Sequence, residues 1–174
     1  MSQYDVPVVW SPATRGHDPI HEIWVGVAEP STEVAERVDV ILEALSGHRL
    51  IEATASPDKV LAQVHDPQML RFLKEAAERW ASGGYVEEVG QRRVVPYVFP
   101  TPAMSAGLPL QVPKRVHAEA GTFAYDTCTL VGPGTWEAAR AAASCAVEAA
   151  RLVGDGTRLA YALCRPPGHH ATRA

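Results

Sequence analysis

The sequence predicts an α/β protein with an open, mainly parallel sheet flanked by helices. Three observations lead there. An alanine-rich helical stretch, residues 135–153, passes through Gly154-Asp155-Gly156 into residues 159–164, an apolar run without alternation. Such a run marks a strand buried on both faces. A second apolar run, residues 6–10, is bounded by Ser11-Pro12 and reads as a strand near the start of the chain. Helical patterns with capping residues lie between the two, and alternation of strands with helices is the rhythm of a parallel sheet.

Taken in order, residues 6–10 form the first strand, and residues 11–30, with Pro, Gly and His, form a loop. A helix begins near Ser31 and Thr32, with Glu33 and Glu36 well placed in its first turn. Val34, Val38, Ile41, Leu42 and Leu45 recur at helical spacing as one apolar stripe, and Gly47 ends it. Residues 48–53 form a second strand. Ser56-Pro57 and Asp66-Pro67 each join a capping residue to a proline at the first helical position, so each starts a helix. The helix after Asp66 carries Leu70, Leu73, Ala77 and Trp80 inward. From residue 82 to about 121 the pattern breaks at Gly83-Gly84, Pro96, Pro100, Pro102, Pro109 and Pro113. Tyr85, Tyr97, Val98 and Phe99 are too apolar for a solvated tether, so residues 82–118 are expected as an ordered surface excursion. Thr135 is expected to cap the long helix, whose alanine face permits close approach to the sheet.

The 174 residues suit a single domain. A net charge of −4 supplies no basic footprint for nucleic acid. No apolar run approaches the roughly 20 residues that span a bilayer, and MSQYDVPVVW lacks the pattern of a signal peptide. Cys128, Cys145 and Cys164 are odd in number and far apart, as reduced core thiols would be. These features fit a cytoplasmic protein without nucleic-acid or membrane partners.

In open α/β sheets, ligands bind beyond the carboxyl ends of the strands. Directly after Cys164 the chain runs Arg165-Pro166-Pro167-Gly168-His169-His170-Ala171. Two prolines stiffen the exit and Gly168 admits backbone geometry that a side chain would forbid. Adjacent imidazoles diverge on a helix and oppose each other on a strand, so His169 and His170 fit one metal poorly. Both titrate near neutral pH, and an acid/base pair is the functional reading. The bland alternative is two exposed loop histidines; the buried strand and rigid lead-in favour the functional one. A nucleotide-binding domain fares badly, because no glycine-rich loop joins a strand to a helix, and Gly132-Pro133-Gly134 reads first as a turn.

The heptad RPPGHHA resembles the signature of the histone deacetylases and their bacterial relatives. The longer GTWEAARAAASCAVEAARLV with RLAYALCRPPGHHA is similar to the acetylpolyamine amidohydrolase branch. Pro30 with Arg37, Val64-His65-Asp66-Pro67, and Tyr125-Asp126-Thr127 before Gly134-Thr135-Trp136 agree with it. The resemblance covers most of the chain from about His17 and implies an arginase-like fold. It implies a zinc-dependent amidohydrolase that removes acetyl groups from acetylated polyamines or related amines, acetyl-lysine being another substrate of the family. By position His170 would be general base and then acid to the departing amine, with His169 its electrostatic partner. The implied zinc ligands, an Asp-x-His pair and a later Asp, lie beyond Ala174, so no residue here is assigned to the metal. His17, His21, His48, His65 and His117 match no familiar zinc spacing. The chain is therefore expected to be the N-terminal part of one deacetylase domain, truncated after the early strands and inactive alone.

Substrate contacts are expected at Glu119, His21 and Gly168. By resemblance, Glu119 would meet the distal ammonium of a polyamine, with a solvated Glu as the alternative. His17, Asp18, His21 and Glu22 would border the pocket mouth, with a plain surface loop as the alternative. The same resemblance implies a homodimer through residues 82–118 that narrows the entrance. The contrasting reading is a catalytically inactive homologue acting as a binding module, which a soluble chain with a cooperative melt would favour.

Overall fold

A computed structural model describes residues 6–109 and 111–168. In chain order the elements are β1 (Val8–Trp10), a 3-10 turn (Pro12–Gly16), β2 (His21–Trp24), β3 (Val27–Pro30), α1 (Glu36–Ala44) and β4 (Leu50–Glu52). Then come α2 (Asp58–Leu61), α3 (Pro67–Ser82), α4 (Tyr85–Val89), α5 (Val116–Phe123), α6 (Thr135–Gly154) and β5 (Tyr161–Ala162). The described residues divide into two compact units. One is built from the segments up to residue 18, 32–63 and 134 onward, the other from 19–31 and 64–133.

The first unit holds a parallel sheet in the order β4-β1-β5. Val8 pairs with Leu50 on one side and Tyr161 on the other; Val9 pairs with Ile51 and Ala162. β1 is central, so Val8 and Val9 are both buried although they point to opposite faces. Val9 packs against Cys145 and Ala149 of α6, and the small buried face Ala138, Ala142, Cys145 and Ala149 lets the helix lie close. β5 lies at the edge of the sheet. Burial on both faces, expected for residues 159–164, is not what the structure shows: Leu159 is 60% and Tyr161 43% exposed, while Leu163 is buried. Among the described residues β5 has a strand partner on one side only, which leaves part of its surface uncovered.

The apolar stripe of α1 falls where the spacing places it, with Val38 fully buried and Val34, Ile41, Leu42 and Leu45 half-buried. Its start differs. Ser31 and Thr32 do not cap it; the Ala35 amide donates to Asp18 Oδ1 at 2.7 Å, across 17 residues of sequence. Thr135 likewise does not cap α6. The N-cap is Gly134, at φ 79, where a Cβ would strike the backbone of Gly16.

The second unit packs α3 against α4 and α5, with Phe72, Ala76, Trp80, Val94, Val116 and Ala120 buried together. Asp66 caps α3 as expected, its carboxylate accepting from the Gln68 amide at 2.7 Å. The buried face is Phe72, Ala76 and Trp80 rather than the Leu70, Leu73, Ala77 and Trp80 that the spacing predicts. The 72/76/80 row puts the larger phenyl ring inward, where it packs near Phe123. Residues 11–30 are not all loop: His21–Pro30 form an antiparallel hairpin. Its turn, Val25-Gly26, has positive φ at both positions, as tight hairpins require. β3 is exposed throughout, so no hydrophobic alternation betrays it. The excursion 82–118 is more regular than its prolines suggest, containing α4 and a bridge from Val94 to Val131. Among the described residues no helix is long and apolar enough to cross a membrane.

Candidate active site

The parallel sheet directs attention to the carboxyl end of β5. The Leu163 amide donates to the Val9 carbonyl at 2.8 Å, the last rung of the ladder. Cys164 is exposed as a residue, but its thiol donates to the Ala142 carbonyl at 3.3 Å, and burial pushes its pKa up. Burial likewise pushes the Cys145 thiol up to about 12, so both stay protonated near neutral pH. Neither has the lowered pKa of a cysteine nucleophile.

Arg165 is the surprise of this region. It is 3% exposed, though it stands where the strand leaves the sheet. Nη1 donates to the Thr14 carbonyl at 2.9 Å and Nη2 to the Glu33 carbonyl at 2.7 Å. Nε lies 2.9 Å from Glu33 Oε1 as an ion pair without hydrogen-bond alignment. The other Glu33 oxygen is 3.2 Å from Arg37 Nε. A hollow of about 220 Å³ lies here, lined by Glu33, Arg37, Ile41, Tyr161, Arg165 and Pro167 among others. Pro167 and Gly168 are exposed beside it. His169 and His170, the expected acid/base pair, lie outside the described residues.

Other candidates take structural places. His17 is buried, with Nδ1 3.0 Å from Thr135 Oγ1, and Asp18 caps α1. Arg37 is a half-exposed helix cation paired with Glu33. In the second unit His21 is half-buried on β2, and its backbone pairs with Pro30. Glu119 is not a solvated carboxylate. It is 1% exposed on α5, with Oε1 accepting from Arg71 Nη2 at 3.0 Å and Oε2 2.6 Å from Arg79 Nη1. Two guanidinium groups offset the cost of burying its charge. No hydrogen bond or ion pair joins His21 to Glu119 among the described residues. The same unit places Tyr85 Oη 2.5 Å from His117 Nδ1, with the Tyr85 ring stacked on Trp80.

Sequence reasoning passed over Glu33 and Arg165. The signal present was the position of the arginine: a cation between a buried strand and two prolines has little room to reach solvent. Glu33 gave no such sign, because an acidic residue at a helix entry is ordinary.

The histone deacetylase domain matches residues 31–174, most of the chain. The chain belongs to the histone deacetylase family. Within the family it is similar to acetylpolyamine amidohydrolase 1 of Pseudomonas aeruginosa, at 32% identity over 166 residues, covering 94% of this chain and 46% of that protein. It is also similar to the acetylpolyamine amidohydrolase of Mycoplana ramosa, at 33% identity, covering 86% of this chain and 42% of the other. In three dimensions it resembles an acetylpolyamine aminohydrolase from Burkholderia pseudomallei, with a TM-score of 0.83 at 30% identity. That match covers 97% of this chain and 47% of the solved one. The chain thus spans just under half the length of the relatives it matches. The α/β architecture with its parallel sheet is shared with this aminohydrolase, in line with the fold that the resemblance implied.

Proposed function

We propose that the protein carrying this chain is an amidohydrolase that removes acetyl groups from acetylated polyamines or related acetylated amines. The observation that carries the reading is the similarity, over 94% of the chain, to a protein named acetylpolyamine amidohydrolase. The heptad RPPGHHA, which follows β5 in the sequence, agrees with it, since open parallel sheets receive ligands beyond the carboxyl ends of their strands.

In this reading His170 takes a proton from water as its oxygen attacks the acetamide carbonyl. It returns the proton to the nitrogen as the C–N bond breaks, giving acetate and the free amine. His169 is the electrostatic partner beside it. Zinc is the metal implied by the resemblance. Among the described residues no group of three or more His, Cys, Asp and Glu could hold a metal ion, so they do not fit a metal site and none is assigned a ligand role.

Gly168, exposed at the strand exit, leaves the backbone open to substrate. His21 stays in the reading as a substrate contact, its ring making no hydrogen bond among the described residues. Burial and two arginine partners favour Glu119 as a brace within its unit over direct contact with an ammonium. We place the protein in the cytoplasm, as one deacetylase domain without nucleic-acid or membrane partners. A homodimer through residues 82–118 is supported by Tyr97, Met104 and Leu108, which are 81%, 64% and 72% exposed.

The substrate class is tested by comparing kcat/KM for an N-acetylated diamine and an acetyl-lysine peptide, using the protein as its cell makes it. A preference for the diamine of about tenfold or more, roughly 1.4 kcal/mol, is expected. Equal rates or the reverse order would overturn the polyamine assignment, and no acetate from either would overturn the amidohydrolase.

A further inference from the structure

We propose that a hollow beside the end of α3 is a binding site for a phosphate dianion, free or carried on a small ester, held by Lys114 and Arg115. The site lies wholly within the second unit and has no part in the amidohydrolase reading.

The hollow measures about 280 Å³ and is lined by Arg79, Ser82, Tyr85, Lys114 and Arg115 among others. That volume is near the lower end for ligand sites. No acidic residue among the described ones lines it. Arg79 is already engaged: Nη1 lies 2.6 Å from Glu119 Oε2, and Nη2 donates to the Lys114 carbonyl at 2.9 Å. The second of these bonds fixes the main chain from which Lys114 and Arg115 project. Val116, 5% exposed, anchors the next residue in the core of the unit. Tyr85 is held by its ring on Trp80 and by its hydroxyl at His117.

Charge decides the class of ligand. Arg71 and Arg79 face Glu75 and Glu119 at 4.0 Å or less, so these four charges cancel. Lys114 and Arg115 are exposed, and neither side chain has a hydrogen-bond or ion-pair partner among the described residues. Nor are they needed to complete α3, whose last carbonyls would favour a cation. The Arg79 carbonyl accepts from Ser82 Oγ at 3.3 Å and from the Gly83 amide at 3.1 Å, and the Ala81 carbonyl from the Gly84 amide at 3.1 Å. Two positive charges are therefore left over at one hollow. They repel each other, and a partner of charge near −2 relieves that repulsion. A phosphate monoester carries about −1.5 to −2 at pH 7, with three acceptor oxygens that suit a guanidinium fork. A carboxylate brings one charge and leaves the other unmatched.

The test titrates inorganic phosphate, glycerol phosphate and acetate into the protein as its cell makes it, by calorimetry at constant ionic strength. Saturable binding of phosphate is expected, with acetate weaker by about tenfold or more. Lys114→Gln and Arg115→Gln should each lose about tenfold in phosphate affinity, while Lys114→Arg, which keeps the charge, should bind as the parent does. Arg79 is left intact, since it braces Glu119. Both substituted cations are exposed, so the variants should melt as the parent does. Should a glutamine variant melt early, the preference of the parent for phosphate over acetate still decides the matter. Tighter binding of glycerol phosphate than of phosphate would assign the site to an ester; equal or weaker binding would assign it to the free ion. No saturable binding of phosphate, acetate binding as tightly, or affinity unchanged in both glutamine variants would overturn the proposal.

Discussion

A carboxylate at 1% exposure, as at Glu119, is tolerable because Arg71 and Arg79 lie on its two oxygens. Removing the acid takes the shared partner from two partly exposed guanidinium groups and leaves a gap at a buried position, so Glu119→Ala should cost about 1–3 kcal/mol by urea denaturation. Arg71→Ala should cost about 1 kcal/mol or less, because that side chain is half exposed and solvent screens its loss. Equal costs would mean that the buried acid is not the centre of the cluster. Cys145 gives a pH signature. Its thiol is fully buried, and burial raises its pKa from 9.0 to about 12, the neighbouring Cys164 adding to the effect. Between those values the unfolded chain releases the proton while the folded one keeps it, so stability falls as pH rises from about 9 toward 12. Melts across that range should show the slope in the parent, and Cys145→Ala should make it shallower, the raised Cys164 thiol leaving part of it.

Helix and turn boundaries differ in how far away their causes lie. Asp66 caps α3 two residues from the amide it accepts, so Asp-Pro was legible in the sequence. Asp18 caps α1 from 17 residues away, and Ser31 and Thr32, though chemically suited, stand too early. Asp18→Ala should therefore cost about 1 kcal/mol and speed amide exchange in the first turn of α1, while Thr32→Ala should change neither. The hairpin β2–β3 was illegible for a different reason: both its faces meet solvent in β3, and the signal lay in the backbone of Val25-Gly26. In α5, a Cβ at Gly121 would overlap the Val98 carbonyl. Gly121→Ala should destabilise by about 1–3 kcal/mol in thermal melts. A neutral result would mean that the 98–99 backbone can retreat.

The parallel sheet of the first unit was readable because its cause is local in sequence: a long small-residue helix running into an apolar strand. Its edge was not, since exposure of Tyr161 depends on what lies beside β5 rather than on the run itself. The family was legible in one heptad, and the match over residues 31–174 agrees with it. The contacts of Arg165 were not, because Thr14 and Glu33 are 151 and 132 residues away and neither looks unusual where it stands. If the end of β5 carries amide hydrolysis, acetate release from an N-acetylated diamine must depend on His170. That release is measured for the protein as its cell makes it and for His170→Ala. Release by the parent, with kcat at least about a hundredfold lower in the variant and the melt unchanged, is the expected result. Equal rates in the two would place the chemistry elsewhere and refute the acid/base role of the heptad.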